Sequence, residues 1–472
     1  MSDWFYRFGR SLLNQSIQLY YRRIEVSGAE RIPESGPAII VANHPNSVAD
    51  AFLLAARLSR RPINFIAKDT ITRAPVVGWL VRQFGVVGVA RAYEYERQRD
   101  MARQRNEAAI GTCIPRLLAG ELVAIFGEGI STDLRRLHMI RKGAMRFGYA
   151  AERAADFQMG LKWIPVGINY SAKQRFRSDV ALRVGVPFGL CDLHASPAGH
   201  EAEVLKRGTE RLQRDIVALM VNIEKDELVG LIDLLAALLE DPRALQDARV
   251  DIQQQLSRAV TYFNTVEPQR LGVLERALVS YGRRLAAVEL SDEVVRQRRP
   301  VVAFWSHLRG VLLNGFLLLL NVYGWANSLI ARYAAALSGW LQARFSSRKV
   351  GPTGHPTGQT KEALWATLGG WVGAAVSFPL QAYLVFSASR AAWGERVGVL
   401  LAGLYALTLL PSWWLFVRRR DIFRDHVTNL CAAARFLLHA RYAARLRGHR
   451  RRLERQARAL LADYRAAGPK AA

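Results

Sequence analysis

Asn43-His44-Pro45-Asn46-Ser47-Val48-Ala49-Asp50 sets a histidine and a carboxylate six residues apart, directly after the apolar run Ala38-Ile39-Ile40-Val41-Ala42. An imidazole oriented by a carboxylate is a general base that can take a proton from a weak nucleophile at neutral pH. Three further segments carry groups with chemical potential. Phe84-Gly85-Val86-Val87-Gly88-Val89-Ala90 ends on Arg91, whose planar fork can hold a phosphate through two hydrogen bonds. Ile125-Phe126-Gly127-Glu128-Gly129-Ile130-Ser131-Thr132 runs into a turn that offers backbone N–H groups and two hydroxyls to an anion. It is not a P-loop, because Gly-Lys-Ser/Thr is missing. Trp163-Ile164-Pro165-Val166-Gly167-Ile168-Asn169-Tyr170 is the fourth.

These groups need a scaffold to bring them together. Ala38–Ala42 reads as a buried strand, and Asp50-Ala51-Phe52-Leu53-Leu54-Ala55-Ala56 as the start of a helix. Candidate strands at 38–42, 63–67, 86–90, 122–126, 163–168 and 180–186 alternate with helical segments, so residues 25–190 read as an α/β domain. Ahead of it, Trp4, Phe5, Phe8, Leu12, Leu13, Ile17 and Tyr20 mix with Arg7, Arg10, Arg22 and Arg23. Residues 1–24 are therefore expected as an amphipathic helix at a bilayer interface, with packing on its own domain as the alternative.

Residues 200–300 are nearly free of Gly and Pro, and 191–305 read as a helical region without evident chemistry. Three long apolar runs follow, Gly310–Ala331, Ala363–Ser389 and Val397–Val417, each at least as long as the roughly 20 residues that span a bilayer. The chain carries 66 Lys+Arg against 40 Asp+Glu, a net charge of +26, which suits either nucleic acid or an anionic membrane surface. The apolar runs favour the membrane. Arg332, Arg344, Arg348, Lys349 and Lys361 lie between the first two runs, and residues 418–472 hold 15 basic and 4 acidic side chains. Basic segments stay on the cytoplasmic side. Residues 306–362 are thus expected as a re-entrant or monotopic segment with a basic loop, 363–417 as a transmembrane hairpin, and 418–472 as a basic helical tail. The catalytic domain and tail are expected on the cytoplasmic side, with no nucleic-acid partner. Cys113, Cys191 and Cys431 are scattered and suggest neither a disulfide framework nor a zinc site. Met1-Ser2-Asp3-Trp4 lacks the pattern of a secretory signal.

In order and content the four motif segments resemble the blocks of the glycerolphosphate/lysophosphatidate acyltransferase superfamily: NHxxxxD, GxxxxxR, FPEGxxS and a V-P-V-type strand. The resemblance covers about residues 20–190. It is sharpest to the branch of fungal dual-substrate glycerol-3-phosphate/dihydroxyacetone-phosphate acyltransferases and bacterial relatives, through the five-residue gap between His44 and Asp50, Lys142-Gly143-Ala144, Asn169-Tyr170 and Phe176-Arg177-Ser178. Two departures stand out. The superfamily's acid position is Ala49, which leaves Asp50 as partner to His44. Gly127 replaces the usual proline, which suggests a looser turn.

The resemblance implies an α/β domain with a mixed sheet and flanking helices, and an O-acyltransferase in phospholipid synthesis. The acyl donor would be acyl-CoA or acyl carrier protein. The acceptor would be glycerol 3-phosphate or 1-acylglycerol 3-phosphate, and no cofactor or metal is implied. His44 and Asp50 would be catalytic. Arg91, Gly129 and Ser131 would bind substrate, with Lys142 and Arg177 as further phosphate ligands. Glu128 would either bind substrate or brace its turn. A backbone N–H near Pro45-Asn46 or at Gly129 would serve the oxyanion.

Overall fold

The computed structural model describes residues 3–68, 72, 78, 82–83, 85–89, 110–131, 134–173, 175, 177–193, 200–241, 244–290, 292–296, 299–320, 322–346 and 359–468. The chain divides into two units. One comprises Met1–Asp226, Leu245–Val250 and Ser346–Lys361, and the other Glu227–Ala244, Asp251–Phe345 and Glu362–Ala472.

The first unit holds helix α1 (Asp3–Tyr20), β1 (Arg23–Ser27), β2 (Ala38–Ala42), α2 (Val48–Leu53), β3 (Ile63–Lys68), β4 (Val87–Val89), α3 (110–118 as described), β5 (Leu122–Phe126), α4 (Gly143–Ala154), β6 (Lys162–Tyr170), β7 (Asp179–Val184) and α5 (Glu201–Leu219). The seven strands form one sheet in the order β1-β7-β6-β2-β5-β3-β4. All neighbours are parallel except β6 and β7. The sheet is mixed, with helices on both faces.

β2 lies between β6 and β5, and every one of its residues is buried. Alternation divides its side chains between two cores. Ile39 and Val41 join Val123, Trp163, Leu117, Met145, Leu212 and Ile216, on the side of α3, α4 and α5. Ala38, Ile40 and Ala42 join Ala124, Ile164, Val166, Leu53 and Ile17, on the side of α1 and α2. A strand buried on both faces reads as an unbroken apolar run, which is why Ala38–Ala42 was evident from sequence.

Two boundaries differ from expectation. Helix α1 stops at Tyr20, and Arg23 already belongs to β1, an edge strand parallel to β7. Ile17 and Tyr21 are buried in the second core, so this helix packs on its own domain along that face. The unit also runs past 190 to Asp226, because Leu205, Leu212 and Ile216 of α5 fill the first core.

The second unit is helical: α6 (Val229–Leu239), most of α7 (Gln246–Val266), α8 (Pro268–Ala286), α9 (Asp292–Arg296), α10 (Pro300–Leu320), α11 (Val322–Asn327), α12 (Leu329–Ser346), α13 (Gln359–Trp393), α14 (Glu395–Leu438) and α15 (Ala440–Ala467). Buried Arg450 on α15 bonds Asp292, Glu454 and the carbonyl of Leu238, and Tyr281 donates to Asp292. Four helices are thereby pinned around one guanidinium. Among the described residues, three helices are long and apolar enough to cross a membrane: Pro300–Leu319, Val372–Trp393 and Glu395–Leu438. The apolar run 310–331 is not one segment, since α10 and α11 end within it and Ser328 forms a turn. Of the basic loop expected within 306–362, the residues up to Ser346 belong to helix α12, and residues 347–358 lie outside the described residues.

Candidate active site

The chemically able residues lie just past the C-terminal ends of β5, β2 and β6, three neighbouring parallel strands. That edge is where open α/β sheets present their sites. His44 follows β2 by two residues, Glu128 follows β5 by two, and Tyr170 ends β6.

Asn43 prolongs the sheet beyond Ala42. Its side-chain amide donates to the carbonyl of Ile168 at 3.1 Å and accepts the Ile168 N–H at 2.7 Å, taking the place of a backbone pair between β2 and β6. This anchors the residue before His44. The imidazole stacks on Phe126, with centroids 3.8 Å apart and planes 12° from parallel. Its Nδ1 lies 2.9 Å from Asp50 Oδ2. Its backbone N–H donates to Glu128 Oε1 at 2.8 Å.

Asp50 has no exposed surface. A buried carboxylate destabilises the fold by several kcal/mol unless it is paired and hydrogen-bonded. Asp50 meets this with three contacts: His44 Nδ1, the Asn46 N–H at 2.7 Å, and the Tyr170 hydroxyl at 2.6 Å. The added residue between His44 and Asp50 is absorbed at Ser47, whose φ of 51° is one that L side chains rarely adopt. This twist turns the Ser47 N–H onto Ser131 Oγ at 3.0 Å, and α2 begins at the next residue.

Glu128 is a brace. Its second oxygen accepts the His138 N–H at 3.0 Å, so one buried carboxylate ties the loop after β2 to the loop before α4. Burial raises its pKa, and the two backbone donors oppose the rise. Of the two readings the sequence left open, the geometry supplies the bracing one.

Gly127 corrects an expectation. The turn is tight here, because the Gly127 N–H donates to the Ala42 carbonyl at 3.0 Å and extends the β2–β5 ladder. A Cβ at this position would stand 2.7 Å from Ile140 Cδ1 and 3.1 Å from Val41 Cγ1. Gly129 has φ 68°, and its N–H donates to the Phe126 carbonyl at 3.1 Å, closing the turn. The Gly129 and Asn46 N–H groups, the two alternatives expected for the oxyanion donor, donate here to Phe126 and Asp50.

Arg91 and Thr132 lie outside the described residues. Lys142 is exposed at the N-terminal end of α4. Arg177 has φ 63° and directs its guanidinium to the carbonyls of Gln18 and Tyr21, both at 3.3 Å. These two bonds, both from Nη1, hold the end of α1 to the sheet.

Two tyrosines had no role in the sequence reading. Tyr170 touches Asp50 directly, and burial followed by the Asp50 charge pushes its pKa well above the usual value. Tyr21 stands behind it, with ring centroids 5.8 Å apart, and its hydroxyl accepts Asn46 Nδ2 at 3.4 Å. Both sit at apolar-to-polar boundaries of predicted elements, where an aromatic reads as core. Among the described residues no three His, Cys, Asp or Glu converge as metal ligands would.

Residues 23–169 match the Acyltransferase family model. The chain is similar to chloroplastic 1-acyl-sn-glycerol-3-phosphate acyltransferase LPAT1 of Arabidopsis thaliana, 30% identical over 131 residues, 27% of this chain and 33% of the relative. It is similar to chloroplastic 1-acyl-sn-glycerol-3-phosphate acyltransferase BAT2 of Brassica napus, 29% identical over 131 residues, 27% of this chain and 35% of the relative. It also resembles the uncharacterized protein Rv0502 of Mycobacterium tuberculosis, 29% identical over 171 residues, 34% of this chain and 42% of the relative. The chain thus spans between 33% and 42% of the length of these relatives. Among solved structures, the 1-acyl-sn-glycerophosphate acyltransferase PlsC of Thermotoga maritima aligns with a TM-score of 0.33 and 21% identity, over 46% of this chain and 83% of that chain. The family match and the plant relatives support the glycerolphosphate/lysophosphatidate acyltransferase superfamily for this domain.

Proposed function

Taking residues 23–169 as an acyltransferase domain, we propose that the chain is a membrane-bound O-acyltransferase of glycerolipid synthesis. It moves a fatty acyl group from a thioester, acyl-CoA or acyl carrier protein, to glycerol 3-phosphate or 1-acylglycerol 3-phosphate. The observation that carries this reading is the 2.9 Å hydrogen bond from His44 Nδ1 to Asp50 Oδ2. With Nδ1–H donated to the carboxylate, Nε2 holds the lone pair.

Nε2 accepts the acceptor's hydroxyl proton as that oxygen attacks the thioester carbonyl, and Asp50 stabilises the imidazolium that forms. Collapse of the tetrahedral intermediate breaks the C–S bond, and the imidazolium returns the proton to the departing thiolate. The substrate supplies the nucleophile, so no acyl-enzyme is needed. Ser131 Oγ accepts the Ser47 N–H and keeps its own hydrogen for a substrate oxygen. Arg91 and Lys142 are assigned to the acceptor or donor phosphates. The five-residue gap and Lys142-Gly143 favour the first acylation of glycerol phosphate. The three candidate membrane helices and the basic tail support attachment to the inner membrane, with the domain on the cytoplasmic side.

The test is purified protein in nanodiscs with radiolabelled acyl-CoA or acyl carrier protein and a panel of glycerophosphate and lysophospholipid acceptors, products resolved by chromatography. Phosphate-bearing acceptors should be acylated and their dephosphorylated counterparts poorly so. His44→Ala should lower the rate by about 100- to 10,000-fold, the scale of a lost general base. Wild-type protein inert toward the whole panel would refute the proposal.

A further inference from the structure

Helices α10 and α11 run antiparallel to α14, and small residues let the backbones approach. A Cβ at Gly310 would stand 2.5 Å from the His426 ring, and one at Gly324 would stand 2.5 Å from the Ser412 carbonyl oxygen. Arg419 donates to Asn314 at 3.3 Å, Tyr323 bonds Thr408 at 2.7 Å, and Tyr405 bonds Asn327. This register sets residues 307–314 of α10 beside the charged stretch of α14 from Arg419 to His426, and only the part beyond Asn314 beside its apolar stretch. By composition alone the span would be Pro300–Leu319. The pairing moves the part that can enter hydrocarbon about ten residues further on.

After Asn327 the direction reverses. A Cβ at Gly373 would stand 2.8 Å from the Ala331 Cα, and one at Gly369 would stand 2.7 Å from the Ala334 carbonyl oxygen and 2.6 Å from Ser338 Cβ. Rising residue numbers on α12 therefore pair with falling ones on α13. On α13, Gln381 bonds the level of Asn327 and Tyr405, and Gly398 of α14 packs on Arg390 across the Gly394 turn. Moving from Gln381 to Gly369 leads away from that turn, back toward the end of α14 that carries Arg418.

We infer that α10–α12 form a re-entrant hairpin in the bilayer, entering and leaving on the face marked by Arg418, Arg419 and Arg420, while only α13 and α14 cross. Asn327 reaches a depth between Ser412 and Tyr405, about 10–20 Å inside Arg418 at 1.5 Å per residue, within an apolar layer about 30 Å thick. A chain reversal at that depth has no water to bond its backbone, and each unmet group costs several kcal/mol. The neighbouring helices provide partners. Gln381 Nε2 donates to the Asn327 carbonyl at 3.1 Å, Tyr405 donates to its side-chain oxygen, and its amide Nδ2 donates to the Tyr323 carbonyl at 2.8 Å. Ser328 Oγ donates to the Trp325 carbonyl at 3.0 Å, and the Arg332 N–H takes up the Ser328 carbonyl at 2.9 Å. Two polar side chains within the largely apolar stretches of α13 and α14 thus meet the turn that needs them. Phe316, Leu319, Tyr333, Val376 and Leu407 are exposed on these helices and face the acyl chains.

The inference rests on the membrane part of the proposed function and not on acyl transfer; labelling sidedness and turnover are read separately. The test is full-length protein in sealed vesicles, probed with a membrane-impermeant maleimide. Each variant keeps one cysteine, with the remaining native ones replaced: native Cys431, Arg396→Cys at the α13–α14 turn, or Arg344→Cys near the end of α12, with Trp340→Cys as a second position there. Positions 344, 340 and 431 should label from one side and 396 only from the other. Labelling of 344 and 340 together with 396 would make α10–α12 a third crossing and overturn the inference. Labelling of 396 and 431 from the same side would remove the crossings and overturn it equally.

Discussion

Tyr170 donates its hydroxyl to Asp50 Oδ1 at 2.6 Å, on the carboxylate oxygen that His44 does not use. With the Asn46 N–H on Oδ2, the carboxylate is held from three directions. It can turn only by breaking a charge-assisted bond, and such bonds contribute about 1.5–3 kcal/mol each. Because burial and the Asp50 charge push the Tyr170 pKa well up, the phenol stays a donor through the working pH range. Tyr170→Phe should lower kcat about tenfold with little change in KM, one lost bond's worth of positioning. Steady-state kinetics across acceptor concentrations separates the two constants. A change confined to KM would place Tyr170 in substrate binding instead.

That contact was not legible in the sequence. An aromatic that closes an apolar strand reads as core, and Tyr170 becomes functional only because β6 lies beside β2. β2 and β5 could be read to the residue, since strands buried on both faces are unbroken apolar runs. β1 could not. Arg23-Ile24-Glu25-Val26-Ser27 is short, charged and at the sheet edge; only its pairing with β7 makes it a strand, and the preceding helical pattern ran into its first two residues. The structural contacts of Arg177 were hidden for a similar reason. A guanidinium in a motif suggests phosphate, whereas the two carbonyls at the end of α1 that occupy it come from 156 and 159 residues away.

Glu128 carries a pH-dependent contribution. Burial is the largest influence and raises its pKa in the folded chain. Between the unfolded and folded values the folded state therefore binds more protons, and stability falls as pH rises through that window. The contribution is fully present below the unfolded value and lost above the folded one. Glu128→Gln removes this titration and leaves one of the two backbone donors, His44 or His138, facing an amide nitrogen. Urea unfolding at pH 4 and pH 7 should show wild type losing stability relative to the variant as pH rises. At pH 7 the variant's kcat should be about tenfold lower, because the His44 backbone is less firmly held.

Gly127 occupies the position where the superfamily usually has proline, and proline should fail here. The Gly127 N–H bonds the Ala42 carbonyl, and a Cβ meets Ile140 at 2.7 Å. Gly127→Ala should cost about 1–3 kcal/mol of stability through overpacking. Gly127→Pro adds the lost ladder bond and should cost about 1 kcal/mol more. Denaturant midpoints of the two variants test this, and a proline variant as stable as wild type would show that the turn is as loose as the bare substitution suggests.

Ser47 is the converse case, a side chain where glycine belongs. Its φ of 51° and ψ of −130° lie in a region that is nearly glycine-only, and the conformation absorbs the extra residue between His44 and Asp50. The functional contact at this position is made by the backbone N–H, which bonds Ser131 Oγ at 3.0 Å, and a glycine keeps it. Relief of strain at a position of this kind is worth about 1 kcal/mol, offset in part by the greater freedom of glycine in the unfolded chain. Ser47→Gly should therefore leave stability unchanged or raise it by up to about 1 kcal/mol, with kcat within about twofold of wild type. Ser47→Ala keeps the strained backbone without the hydroxyl and should match wild type in stability. If Ser47→Gly lowers kcat while Ser47→Ala does not, the strain itself holds His44 and Asp50 in register, and the added residue is part of the catalytic geometry.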